Sequence, residues 1–150
     1  MASQYTFTHT NDFKRSGVRS VGFLEEDGSQ DLNAKSEYEA LSQKGAWAIR
    51  TRVDHWVDGN NVPPRYFHGW NTDGYRECFV FKKDEDRFYG FKCHPMPRTK
   101  AGFEMCVLTF HDSKFEEDSN YTLLDRINIL RKHPSVIAAI RKKYPEFLGG

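Results

Sequence analysis

The chain is poor in the features that settle function at sight. No apolar run approaches the roughly 20 residues that cross a bilayer, so membrane insertion is not expected. The N-terminal stretch, MASQYTFTHTNDFKRSG, carries no apolar signal segment, and a cytoplasmic location is the expectation. Cysteine is scarce and odd in number: Cys78, Cys93 and Cys106 lie inside apparent strands. That count speaks against a disulfide framework and for three reduced, half-buried thiols. No C-x-x-C or H-x-x-x-H pair occurs. Cys93 and His94 are neighbours on a strand and point to opposite faces, so the spacing is wrong for zinc and no metal site is expected. There is no G-x-G-x-x-G, no Walker loop and no G-x-S-x-G. Dinucleotide, triphosphate and serine-hydrolase chemistry lose their usual signatures, and no cofactor is expected.

Net charge is also small, +1 over 150 residues, but unevenly spread. Residues 1–86 carry 11 Lys/Arg and 14 Asp/Glu, whereas residues 87–150 carry 11 and 7. A basic C-terminal half is compatible with nucleic-acid contact. Aromatics are abundant, with twelve Phe and seven Tyr, enough for a real core. The length fits a single domain over residues 1–150.

Periodicity supplies the organisation. Tyr5, Phe7 and His9 alternate with threonines, the mark of a strand. Val18 to Leu24 reads as a second short strand, followed by a turn around Gly28. Ser36 and Glu39 form an S-x-x-E capping box, and Leu41, Ala48, Ile49, Val53 and Trp56 continue an apolar stripe that predicts one helix ending near Gly59. Tyr66 to Trp70 is aromatic and ambiguous. Tyr75 to Lys82, Arg87 to His94 and Phe103 to His111 are three strands on short connections, expected to pair antiparallel. Period 3.6 then returns in Leu123, Leu124, Ile127 and Leu130, and Pro134 opens a further helix.

The strand RFYGFKCH holds the most chemistry. Parity puts Arg87, Tyr89, Phe91 and Cys93 on one side, facing the core with Arg87 at its rim. Phe88, Gly90, Lys92 and His94 take the other side, where Gly90 marks close approach of a ligand or another backbone. His111, Lys114 and Tyr121 follow the third strand. Cations that neutralise a scissile phosphate, with a His or Tyr that moves a proton, are what cleavage of RNA requires.

The succession of helix, three-strand meander, polar turn and helix resembles the RelE/ParE/HigB-like superfamily of toxins from toxin–antitoxin modules, and is most similar to the phage-derived HigB-like branch. The matching pieces are Arg87-Phe88-Tyr89-Gly90-Phe91, Val107-Leu108-Thr109-Phe110-His111, Lys114 and the helix around Asp125-Arg126. They lie within a match covering roughly residues 36 to 132. The resemblance implies an α+β fold, a twisted antiparallel sheet with helices packed on one face. It implies a metal-independent endoribonuclease acting on mRNA, usually at the ribosome, with an antitoxin protein as partner. The family's basic strand residue falls on Arg87 and its basic residue after the strand on Lys114. Tyr121 or His111 would be the general acid or base, while Lys92 and His94 join the catalytic candidates from side-chain parity. Arg76, Arg98, Lys100 and Arg126 are the RNA-binding candidates. Where the family carries a basic run, this chain has the acidic turn SKFEED. A second reading is a non-catalytic protein-binding module, of phage origin, that engages a host protein through Tyr66-Phe67-His68-Gly69-Trp70. A third, a small-molecule enzyme with a pocket among the same aromatics, has no motif behind it.

Overall fold

A computed structural model describes residues 4–113 and 120–149. In chain order the elements are β1 (Tyr5–Thr8), β2 (Arg19–Glu26), α1 (Ala34–Ala40), α2 (Gln43–Val57), β3 (Phe67–Gly69), β4 (Cys78–Lys83), β5 (Asp86–Cys93), β6 (Glu104–Ser113), α3 (Tyr121–Lys132) and α4 (Pro134–Arg141). The strands form one six-stranded sheet among the described residues, ordered β1-β2-β6-β5-β4-β3. The class is α+β, and the meander β4-β5-β6 is antiparallel as its short connections required.

Two expectations about architecture are corrected. The sheet is mixed, because β2 runs parallel to β6, with Arg19 opposite Glu104 and Phe23 opposite Leu108. The chain between them passes through two helices and three strands, so β2 can enter beside β6 in the same direction, as crossover connections allow. The helices cover both faces rather than one. On one face α1 and α2 bury Tyr38, Ile49, Val53 and Trp56 against Phe23, Phe79, Phe81, Phe88 and Leu108. On the other, α3 and α4 bury Leu124, Ile127, Val136 and Ile140 against Phe7, Val80, Tyr89, Phe91 and Val107. The physical reason stands in the strands themselves. Cys78–Phe81 and Met105–Leu108 are continuous apolar runs, all buried, and a strand apolar on both sides needs a cover on both.

The helix expected from Ser36 to Gly59 is two helices. The Ser36 hydroxyl donates to Asn33 O instead of capping. The chain breaks at Leu41, which is extended, and restarts at Ser42, whose Oγ accepts from Gly45 N at 3.0 Å. Gly59, at φ 81°, does follow the end of α2. Asn120 caps α3, and Pro134 stands in the first turn of α4 as expected. No helix among the described residues is long and apolar enough to cross a membrane.

Candidate active site

The β5–β6 ladder decides which side chains meet. Its register runs Arg87 to Asp112, Phe88 to His111 and Tyr89 to Phe110, then jumps to Gly90 opposite Leu108. Thr109 is the extra residue of a β-bulge. Its buried hydroxyl donates to Tyr89 O at 3.1 Å. Gly90 is where the two backbones close in. A Cβ built there would sit 1.8 Å from Val107 O and 2.9 Å from a Phe79 ring carbon. The glycine therefore marks another backbone, not a ligand, and its side of the sheet is filled by Phe88, Phe79 and the helices above them.

The bulge also reverses the alternation of β6. Phe110 falls on the α3/α4 face with Tyr89, and His111 falls on the α1/α2 face beside Phe88, with ring centroids 4.9 Å apart. There His111 Nε2 lies 2.7 Å from Asp86 Oδ1, and its Nδ1 lies 3.9 Å from Glu37. Asn33 grips the His111 backbone from both its amide oxygen and its amide nitrogen. His111 ties α1 to the sheet, on the opposite face from Arg87.

The other candidates are scattered too. Lys92 lies five residues along β5 from Arg87, about 17 Å at the rise of a strand. With His94 and Arg76 it lines a cavity of about 440 Å³ that also holds Glu77 and Glu104. His94 Nδ1 is 3.1 Å from Phe103 O. Tyr121 is exposed and edges against Tyr75, whose hydroxyl donates to Asp125. Arg76 pairs with Asp73, and Arg126 pairs with Asp31 while lying over the Phe110 ring. The backbone N–H groups of Arg98 and Thr99 both donate to Glu146, which fastens the loop that carries exposed Lys100. Lys114 lies outside the described residues. Lys92, His94 and His111 therefore do not converge on Arg87.

Something else converges on Arg87. Lys82, Arg87 and Asp112 are Cα partners in one row across β4, β5 and β6. Alternation puts all three on the α3/α4 face, at the end of the sheet. The next row inward is His68, Val80, Tyr89 and Phe110. Trp70 stacks over Tyr89 at 6.4 Å and meets the His68 ring edge-on at 4.7 Å. From α3, the Asn120 amide donates to Asp112 at 3.1 Å. Arg87 Nε is buried and has no acceptor among the described residues. A buried cationic N–H without a partner is costly to keep, and elsewhere the guanidinium is engaged with the Tyr89 hydroxyl.

The electrostatics of the two inner rings follow from this setting. Burial raises the Tyr89 pKa above its ordinary value, and the Arg87 guanidinium opposes the rise without cancelling it. Burial lowers that of His68; its bond to Gly69 opposes this, and the positive charges of Lys82 and Arg87 add to it. The ring is therefore biased to the neutral form. Its Nδ1 lies 3.0 Å from Gly69 O, a contact only an N–H can make, so Nε2 is left with the lone pair. An accepting imidazole, a guanidinium and one ammonium, with the Asp112 carboxylate ending the row, share this face and can hold an anion beside a proton acceptor.

Sequence reasoning reached Arg87 and its place at the rim of the core face, and did not reach Lys82, His68, Tyr89 or Asp112 as site residues. Lys82 and Arg87 flank the short turn at Asp84-Glu85, and a two-residue hairpin loop makes them cross-strand partners. That signal was available. His68 was not legible, since β3 is only three residues long. The aromatic segment around it is half-buried: Phe67 packs on the α2 side and Trp70 on the α3 side. The exposed patch that the protein-binding reading required is not formed there. Among the described residues, no three His, Cys, Asp or Glu side chains gather as a metal cluster would need. No family model, curated protein or solved structure matches the chain. The fold and this cluster define it as an α+β protein with a cationic, aromatic-lined sheet face.

Proposed function

We propose that the protein is the toxin of a toxin–antitoxin module and cleaves mRNA at the Arg87 face without a metal. The observation that supports this most is the Lys82–Arg87 row above His68, with an unspent Arg87 donor in its centre. In this reading Arg87 and Lys82 hold the non-bridging oxygens of a phosphodiester and neutralise the charge that builds on them. His68 Nε2 takes the proton of the adjacent 2′-hydroxyl. The 2′ oxygen attacks phosphorus, the bond to the 5′ oxygen breaks, and that oxygen leaves with a proton from water. The products are a 2′,3′-cyclic phosphate and a 5′-hydroxyl end. Trp70 and Tyr89 brace the base-and-guanidinium geometry from below. Action at the ribosome and neutralisation by an antitoxin protein come from the family resemblance, in which Arg87 is the matching basic strand residue.

The test is inducible expression in bacteria of the wild type beside Arg87→Ala, Lys82→Ala and His68→Gln, with growth and mRNA 5′ ends as readouts. The expected result is growth arrest with new cuts inside reading frames, lost in variants whose circular dichroism matches the wild type. Removal of Arg87 should lower cleavage by about 100-fold or more, the usual scale for one oxyanion-type donor. Normal growth and intact mRNA with soluble wild-type protein would end this reading.

A further inference from the structure

A second cationic and aromatic surface lies on the other face of the molecule. Lys44, Trp47, Ala48, Thr51, Arg52 and His55 recur at three- and four-residue spacing and so share one side of α2. Across from them stand Val62, Tyr66 and Lys83, and the two walls enclose an open groove of about 330 Å³. That size is at the lower end of sites for small organic ligands. Trp47 stands at its mouth and is 59% exposed, unusual for the largest apolar side chain. The opposite wall is a stack, with the Arg52 guanidinium 4.0 Å from the centre of the Tyr66 ring and that of Arg65 4.8 Å from it. Arg52 Nη1 donates to Ala48 O, while its Nε is buried with no acceptor among the described residues.

The charges around this groove are of one sign. Lys44, Arg52 and Lys83 line it, and no carboxylate does. Asp84 on the β4–β5 turn pairs with Lys83, and Asp12 lines the adjoining cavity that shares Lys44 and Trp47. An apolar slot with a free indole, a stacked guanidinium wall and cations at the rim suits a ligand that is flat, aromatic and anionic. A hydrophobic peptide would leave the cations unanswered, and an acidic peptide would leave the indole bare.

We infer that this groove binds one nucleotide of a single-stranded nucleic acid, with the base laid on Trp47 and against the Arg52–Tyr66 stack and a flanking phosphate on Lys44. Stacking on aromatic and guanidinium planes is the sequence-tolerant way that single strands are held. The β4–β5 turn connects this groove to the Arg87 face, because Lys82 points to one side of the sheet and Lys83 to the other. A strand wrapped around the β3 edge would touch both. The inference does not depend on cleavage at Arg87.

The test is fluorescence anisotropy with a labelled five-residue deoxyadenylate, which has no 2′-hydroxyl to react. Trp47→Ala and Arg52→Gln should each weaken its binding by about tenfold or more, the scale of one lost stacking partner. Lys132→Ala, exposed on α3 across the sheet from the groove, should bind within about twofold of wild type. Circular dichroism establishes that each variant is folded, and Trp47 is exposed enough that its loss leaves the core intact. Unchanged affinity in Trp47→Ala would overturn the inference. So would Trp47-dependent binding of a hexaglutamate peptide or of phosphatidylglycerol vesicles without binding of the deoxyadenylate. Cleavage lost in Arg87→Ala, together with Trp47-dependent binding of the deoxyadenylate by the wild type, supports both sites. Wild-type protein that binds through Trp47 and cuts nothing leaves this inference standing while the ribonuclease reading falls.

Discussion

Gly90→Ala tests the hinge of the whole arrangement, because the bulge at Thr109 depends on the close approach of β5 and β6 at this glycine. The new methyl carbon would lie 1.8 Å from Val107 O and 2.8 Å from Val107 C. Ordinary contact starts near 3.4 Å, so the two backbones would have to part by about 1.6 Å. Neither side can yield cheaply. Val107 is buried in β6, one of the two central strands of the sheet, and the third close atom belongs to Phe79, which is itself fully buried. Separation at that point gives up one or two ladder hydrogen bonds at about 1 kcal/mol each, and overpacking adds about 1–3 kcal/mol. A total loss of about 2–5 kcal/mol follows, a large share of the 5–15 kcal/mol typical of a domain. Urea unfolding followed by circular dichroism measures it. Gly102→Ala, where a Cβ meets nothing within 4 Å, is the control and should stay within about 0.5 kcal/mol. If Gly90→Ala unfolds within about 1 kcal/mol of wild type, the steric account of the bulge is wrong.

Three further outcomes are expected. The thiols should be nearly inert in the folded protein: all three cysteines are buried, burial pushes the Cys78 pKa up to about 11, and burial raises those of Cys93 and Cys106 as well. Labelling by a thiol reagent at pH 8 should appear only as urea unfolds the chain, and fast labelling under native conditions would contradict this. His9 and His68 have pKa values lowered below 6.5 chiefly by burial, so the unfolded chain binds protons that the folded chain refuses. Their contribution is present above pH 6.5 and is lost as pH falls through the lowered folded values, so urea midpoints should drop between pH 7 and pH 5, and less so in a His9→Gln, His68→Gln double variant. Asn120→Ala removes both the α3 cap on Leu123 N and the bond to Asp112, at about 1–2 kcal/mol. Asn120→Asp should recover only part of that in the same unfolding assay, because it restores the cap but sets a second carboxylate against Asp112.

Much of the scaffold was legible along the chain, and the reasons differ by element. The β4-β5-β6 meander follows from local alternation and short connections, and α4 from Pro134 and the stripe Val136, Ile137 and Ile140. The break between α1 and α2 was missed because the Ser36–Glu39 spacing imitates a cap while Ser42 makes one. Parity along β5 was right for Arg87, Tyr89, Phe91 and Cys93, since no irregularity precedes them on that strand. Parity along β6 could not have placed His111, because one extra residue, Thr109, reverses every side chain beyond it. Reading Gly90 as close backbone approach was correct in kind. What lay opposite it is Val107, nearly twenty residues away, and that pairing cannot be read from a strand considered alone. The catalytic candidates chosen by chemistry alone scattered for the same reason: a single chain pattern carries side-chain type but not register between strands.

The parallel pairing of β2 with β6 also constrains how the chain reaches its structure. Arg19 meets Glu104, so closing that pair joins segments about 85 residues apart, an entropic demand that local hairpins do not face. The β4-β5-β6 meander can assemble as soon as its own residues exist. The β1–β2 pair cannot join it until β6 has been made, and on a ribosome that is late in synthesis. Until then β2 presents an unpaired edge and an apolar face. Pulse-labelled hydrogen exchange should find the amides of β5 protected before those of β2, with β6 protected first on its β5 side.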